Sequence, residues 1–178
     1  MWPGTFAMKA IESNRNLPDF LKDYRYQLEL TGRLDRLDSQ PFTQAVVNEI
    51  VLWKVNRYTA LSPATLELLN NVVGLQAGSH RAARDVILAL LGERGVDLPM
   101  ASTLLRFRNP STFQIIDRHA YRALYGNDLR LRGSKLRKAE LYLGYLDSLL
   151  ELAHAKNVEF RTLDRVLYEF DRQKNGQL

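Results

Sequence analysis

Residues 80–108 read HRAARDVILALLGERGVDLPMASTLLRFR, and the way this stretch divides decides the fold. Apolar residues recur at three and four spacing before and after residues 93–97, so the pattern is helix, tight turn, helix. Gly95 can take the positive φ that such a turn demands. Asp97 is placed to cap the second helix, and Pro99 falls in its first turn, where a missing amide hydrogen costs little. The backbone amides at such a helix start point outward and form a seat for an anion. Arg94, Gly95, Val96 and Asp97 are therefore candidate contacts to a polyanion.

The same periodicity extends along the chain, and no pair of alternating runs flanks an Asn-Gly or Asp-Gly turn, so the fold is expected to be all-α. Helices are predicted over 18–31, 40–59, 63–74, 79–93, 97–108, 117–126, 134–155 and 159–173. Ser62-Pro63 opens one of them, Ser79 caps another, and Asn109-Pro110 ends a third. At 178 residues the expectation is one domain over 1–178, with loosely held ends at 1–16 and 174–178. The stripe of Phe160, Leu163, Val166, Leu167 and Phe170 on the last helix reads as packing against a core.

Composition narrows the class. Hydrophobic residues at 46% and charged residues at 25% are ordinary for a globular protein and exclude disordered and collagen-like chains. Without cysteine, thiol catalysis, disulfides, zinc fingers and iron–sulfur clusters are excluded, and a reducing cytoplasm is expected. No segment approaches the roughly 20 apolar residues of a membrane span, and the N-terminus carries no signal-peptide pattern. A formal charge of +5 and a pI near 9.6 favour a polyanionic partner. No metal-spaced second ligand accompanies His80 or His154, so both are read as structural. A monomer is expected.

The chemistry turns on Asp117, which follows two isoleucines at a helix start. Taken alone it is a helix cap. Yet residues 95–126, GVDLPMASTLLRFRNPSTFQIIDRHAYRALYG, resemble the helix-hairpin-helix DNA glycosylase superfamily, the endonuclease III and 8-oxoguanine glycosylase relatives, through Gly95-Val96, Ala101 and Ile115-Ile116-Asp117. The resemblance implies a helix-hairpin-helix motif at about 80–108, DNA as the partner, and Asp117 as the catalytic acid. The implied reaction hydrolyses the N-glycosidic bond of a damaged or modified base, in base excision repair or in defence against phage. It implies no organic cofactor, with room for a monovalent cation at the hairpin carbonyls. Residues 49–58, EIVLWKVNRY, resemble a segment of small bacterial glycosylase-like proteins. Where the family places a second hairpin glycine this chain has Asp97, and where bifunctional members carry a Schiff-base lysine it has Pro99. Monofunctional hydrolysis is therefore expected, with Lys54 the substitute amine should a lyase step exist.

A glycosylase needs cations for phosphates and aromatic surface for the extruded base. Arg118, His119 and Arg122 flank the acid. The segment RLRGSKLRK, residues 130–138, adds Arg130, Arg132 and Lys135 in a basic loop; the alternative is an ordinary solvated helix start. Trp53 and Tyr58 are candidates for a base pocket, against the alternative of plain core packing. Two other readings stay open: a DNA-gripping module in which Asp117 only caps its helix, and a helical protein-interaction domain. The base is not legible, but the chain is short for the family, which suggests an open pocket suited to a large modified base or single-stranded DNA.

Overall fold

The computed structural model describes residues 7–25, 28–37, 41–55 and 61–176. Within them the fold is all-α, with no strand and eight α-helices: α1 (Leu28–Asp35), α2 (Gln44–Val55), α3 (Pro63–Asn71), α4 (Arg84–Leu90), α5 (Leu98–Arg108), α6 (Arg118–Tyr125), α7 (Lys135–Lys156) and α8 (Leu163–Asn175). Short 3-10 turns precede or extend several of them. No helix among the described residues is long and apolar enough to cross a membrane.

The core is built around α5 and α7. Helix α5 is buried on every side from Met100 to Arg108, although Ser102, Thr103, Arg106 and Arg108 interrupt its apolar residues. Buried polar groups need partners. The Ser102 and Thr103 hydroxyls donate to the Pro99 carbonyl at 2.8 and 2.7 Å. Helix α5 packs on α2, α3 and α7, and α8 lies between α6 and the N-terminal segment Leu17–Asp23.

One sequence expectation gives way. The helix predicted over 18–31 is a 3-10 stretch, Leu17–Asp23, followed separately by α1. Tyr24 caps the first in extended conformation, with its amide on the Leu21 carbonyl, which stops the helix there. Ala10 and Leu17 are buried, and Asn175 exchanges side-chain hydrogen bonds with the Met8 backbone, its Oδ1 accepting from the amide at 2.7 Å.

Gly126 terminates α6 in the left-handed region at φ 73°. A Cβ there would lie 2.9 Å from Lys9 Cε and 3.1 Å from the Ala7 carbonyl. We expect Gly126→Ala to destabilise the fold by at least ~1 kcal/mol, because an L side chain in this conformation costs that much before any clash is counted. An unchanged midpoint in urea unfolding would show that the N-terminal segment yields freely.

Candidate active site

Asp117 is delivered by a buried connection. Residues 112–116 follow α5 and all are buried; the Thr112 and Phe113 amides turn back onto the Asn109 carbonyl, and the remaining backbone groups must find partners in the core. Helix α7 supplies two: the Tyr142 hydroxyl donates to the Gln114 carbonyl at 2.8 Å, and the Tyr145 hydroxyl donates to the Ile115 carbonyl at 2.9 Å. Helix α5 supplies a third, as the Ile116 amide donates to Ser102 Oγ at 3.2 Å. Both phenols are fully buried, and burial pushes them well above the ordinary tyrosine value, so they remain donors at any physiological pH. The backbone leading to Asp117 is thereby fixed from two helices.

At its end Asp117 is the N-cap of α6, with Oδ1 accepting the Ala120 amide at 2.8 Å. The second oxygen remains available and lies 4.0 Å from Lys54 Nζ, which reaches across from α2. Neither group is sealed: the side chains are 24% and 17% exposed. The pair lines two depressions at once. One is a cavity of about 190 Å³, walled by Tyr24, Trp53, Phe107 and Tyr168 with Arg106 and Asp164. The other, of about 520 Å³, is bordered by Pro99, Arg118, His119, Leu129 and Leu131. Cap and cavity-facing acid are thus held by the same residue, one oxygen each.

The residues predicted to meet DNA divide. Arg118, Arg130, Arg132 and Lys135 are exposed, and Arg118 borders the outer depression. The basic loop sits against the turn at 93–97, since Lys138 pairs with Asp97 at 2.7 Å and Lys135 Nζ lies near Gly92. The two segments singled out by sequence thus lie side by side, and Leu131 of the loop borders the depression at Asp117 beside Pro99 of α5.

Arg122 is corrected, and His119 shares its partner. Arg122 grips Asp171 of α8 with two nitrogens, at 2.9 and 2.7 Å, and also reaches the Gly176 carbonyl. His119 Nδ1 lies 2.7 Å from the same carboxylate. Asp171 is fully buried, which alone would raise its pKa. Hydrogen bonds from His119, Arg122 and Asn175 outweigh that and hold it below the ordinary carboxylate value. Arg122 is therefore a structural cation, whereas His119 remains at the edge of the outer depression.

The anion seat is corrected in part as well. Gly95 has the positive φ of 82° that the turn requires. However, the Val96 amide donates to the Glu93 carbonyl at 3.2 Å and the Val96 side chain is buried. The Leu98 amide, first in α5, is taken by the Asp97 carboxylate at 2.7 Å. An acid fills the place of the anion because the cap requires it. Among the described residues no group of three or more His, Asp or Glu is arranged to hold a metal ion. Arg94 is exposed on the turn.

Trp53 belongs to both of its readings. It is 5% exposed, its Nε1 donates to Thr31 Oγ1 at 2.7 Å, and its ring meets Phe107 edge-on at 5.2 Å, yet it also walls the inner cavity. Tyr58 lies outside the described residues. His80 is buried with Nε2 2.9 Å from Asp147 and lines neither depression at Asp117, as expected of a structural histidine.

Sequence reading missed Arg106, Asp164 and Arg165, which wall the inner cavity, and Asp171. A signal existed on α8. Asp164 and Asp171 fall seven apart, on the same face as Leu163, Val166, Leu167 and Phe170, so two acids lay within a stripe read as packing. Compared with known proteins, the chain matches no family, no curated protein and no solved structure.

Proposed function

We propose that this protein is a DNA glycosylase that removes a flipped-out base through Asp117 and Lys54. The observation that carries this reading is the carboxylate–amine pair at 4.0 Å, lining both an aromatic-walled cavity and an outer depression edged by cations. In this reading the base enters the inner cavity, the deoxyribose stands at the pair, and the phosphates lie on Arg118 and the basic loop. As the base departs with the electrons of the C–N bond, positive charge grows on the sugar. The free Asp117 oxygen stabilises it and orients the incoming water.

Lys54 gives the site a second route. Its neutral amine can attack C1′ in place of water as the base leaves with the C–N bonding pair; loss of a proton from nitrogen and opening of the sugar ring give an iminium, and loss of the C2′ proton then expels the 3′-phosphate and breaks the strand, whereas Pro99 itself offers no amine. Duplexes carrying individual damaged or modified bases test both steps. We expect abasic sites to appear, and borohydride to trap a covalent adduct that Lys54→Ala abolishes. Abasic sites without any adduct leave water as the nucleophile and Lys54 as a positioning cation. Salt-dependent DNA binding without base release from any duplex would reduce the protein to a gripping module.

A further inference from the structure

The two tyrosines that support the connection to Asp117 are not equivalent. Tyr142 and Tyr145 are fully buried, lie one helical turn apart on α7, and donate to the successive carbonyls of Gln114 and Ile115. Gln114 is held in other ways as well. Its Nε2 donates to the Pro110 carbonyl at 2.9 Å and to the Phe113 carbonyl at 2.7 Å, while its Oε1 accepts the Asp164 amide of α8 at 3.3 Å. Ile115 has an apolar side chain, and the bond from Tyr145 to its carbonyl is its one hydrogen bond among the described residues. That side chain walls the inner cavity, and two residues further on stands Asp117. The next fixed point after Ile115 is the Ile116 amide, on Ser102 Oγ at 3.2 Å.

We propose that Tyr145 is the positioning residue of this site: a single buried hydroxyl sets both the cavity wall at Ile115 and the place of the Asp117 carboxylate. Without that hydroxyl the Ile115 carbonyl is buried with no partner, which is destabilising. The 115–116 peptide relieves this by turning its carbonyl away. Because the peptide unit is rigid and planar, the turn carries into Ile116 and Asp117. Loss of the Tyr142 hydroxyl has no such consequence, since the Gln114 side chain keeps residue 114 tied to the loop after α5 and to α8. The Tyr145 ring is packed independently of its hydroxyl, with the Tyr142 and Tyr121 rings each 6.4 Å away, so phenylalanine fills the same space. A displacement of about 1 Å at a reacting centre can cost ~100-fold in rate, so a group that never meets substrate governs turnover. The inference rests on the glycosylase reading for what Asp117 does, and not for how it is held.

Amide hydrogen exchange reads the positioning without any substrate. The Ala120 amide, which donates to Asp117 Oδ1, and the Ile116 amide on Ser102 are followed by NMR in wild type, Tyr145→Phe and Tyr142→Phe, relative to the slowest amides of α7. We expect both to exchange at least ~10-fold faster in Tyr145→Phe and to stay within ~3-fold of wild type in Tyr142→Phe, because local opening follows the loss of a local anchor. Tyr145→4-aminophenylalanine keeps a weaker donor and should fall between wild type and Tyr145→Phe; it takes over the comparison should Tyr145→Phe not fold. In parallel, single-turnover release and DNA affinity are measured with duplexes carrying individual damaged or modified bases. Release at least ~10-fold slower from Tyr145→Phe at unchanged affinity, with Tyr142→Phe near wild type, is the expected result. Equal exchange in the two phenylalanine variants overturns the inference, and base release by the wild type then leaves the glycosylase reading intact. Release at the wild-type rate from Tyr145→Phe also overturns it, since the hydroxyl is then structural. Faster exchange confined to Tyr145→Phe, with no release from any duplex by the wild type, sustains the positioning of Asp117 and overturns the glycosylase reading instead.

Discussion

Asp117→Asn is expected to fold normally, bind DNA, and release base at least ~100-fold more slowly than wild type, in line with the usual worth of a positioned acid or base. Asparagine caps a helix about as well as aspartate, so the bond from the Ala120 amide survives and stability should change by less than about 0.5 kcal/mol. What disappears is the negative charge of the oxygen facing Lys54 and the two depressions. In the glycosylase reading that charge stabilises a cationic sugar, and a neutral amide replaces it with a weak dipole. Stability and catalysis are therefore separated by one substitution. Single-turnover assays beside a thermal melt make the comparison. Wild-type turnover in a folded variant would return Asp117 to the role of a cap and nothing more.

The largest effect on stability is expected at Asp171. It is the one carboxylate that holds His119, Arg122 and Asn175, and it has no contact with solvent. Removing it leaves the mostly buried Arg122 guanidinium without its partner. Breaking a buried pair from one side typically costs ~3–5 kcal/mol, so Asp171→Ala should lower the melting temperature by roughly 10 °C for a chain of this size. The pH dependence follows from the depressed carboxyl of Asp171. Its stabilisation is complete above the ordinary value of 3.8 and is lost as pH falls through the lower folded value. Asp35 has the same direction: burial would raise it, but Arg106 and Arg165 pull it down. Wild type and Asp171→Asn should differ most near neutrality and converge in strong acid. A gap that persisted unchanged at low pH would mean that packing, not charge, supplies the stability.

His119 follows from the same contact. With Nδ1 committed to Asp171 and the ring against Tyr168 at 4.8 Å, its orientation is fixed from α8. Asp171→Ala should therefore disturb the outer depression as well as the fold, since His119 borders it.

Sequence alone determined the parts that depend on neighbours along the chain. Helical periodicity, the positive φ of Gly95, the Asp97 and Asp117 caps and the Ser62-Pro63 start are all set within a few residues, and the structure bears them out. Local signals also located a basic loop and a helix carrying Trp53 and Lys54. They carried no information on distance between segments. Only the tertiary structure brought Lys54 to Asp117, set Lys138 on Asp97, and turned Arg122 from the solvent to Asp171. The ion pair of Arg106 and Asp164 joins α5 to α8 across positions far apart in the chain. The reason is energetic. A cap or a turn is settled by hydrogen bonds its own residues can make, whereas a buried charge chooses among every opposite charge that the core brings within reach.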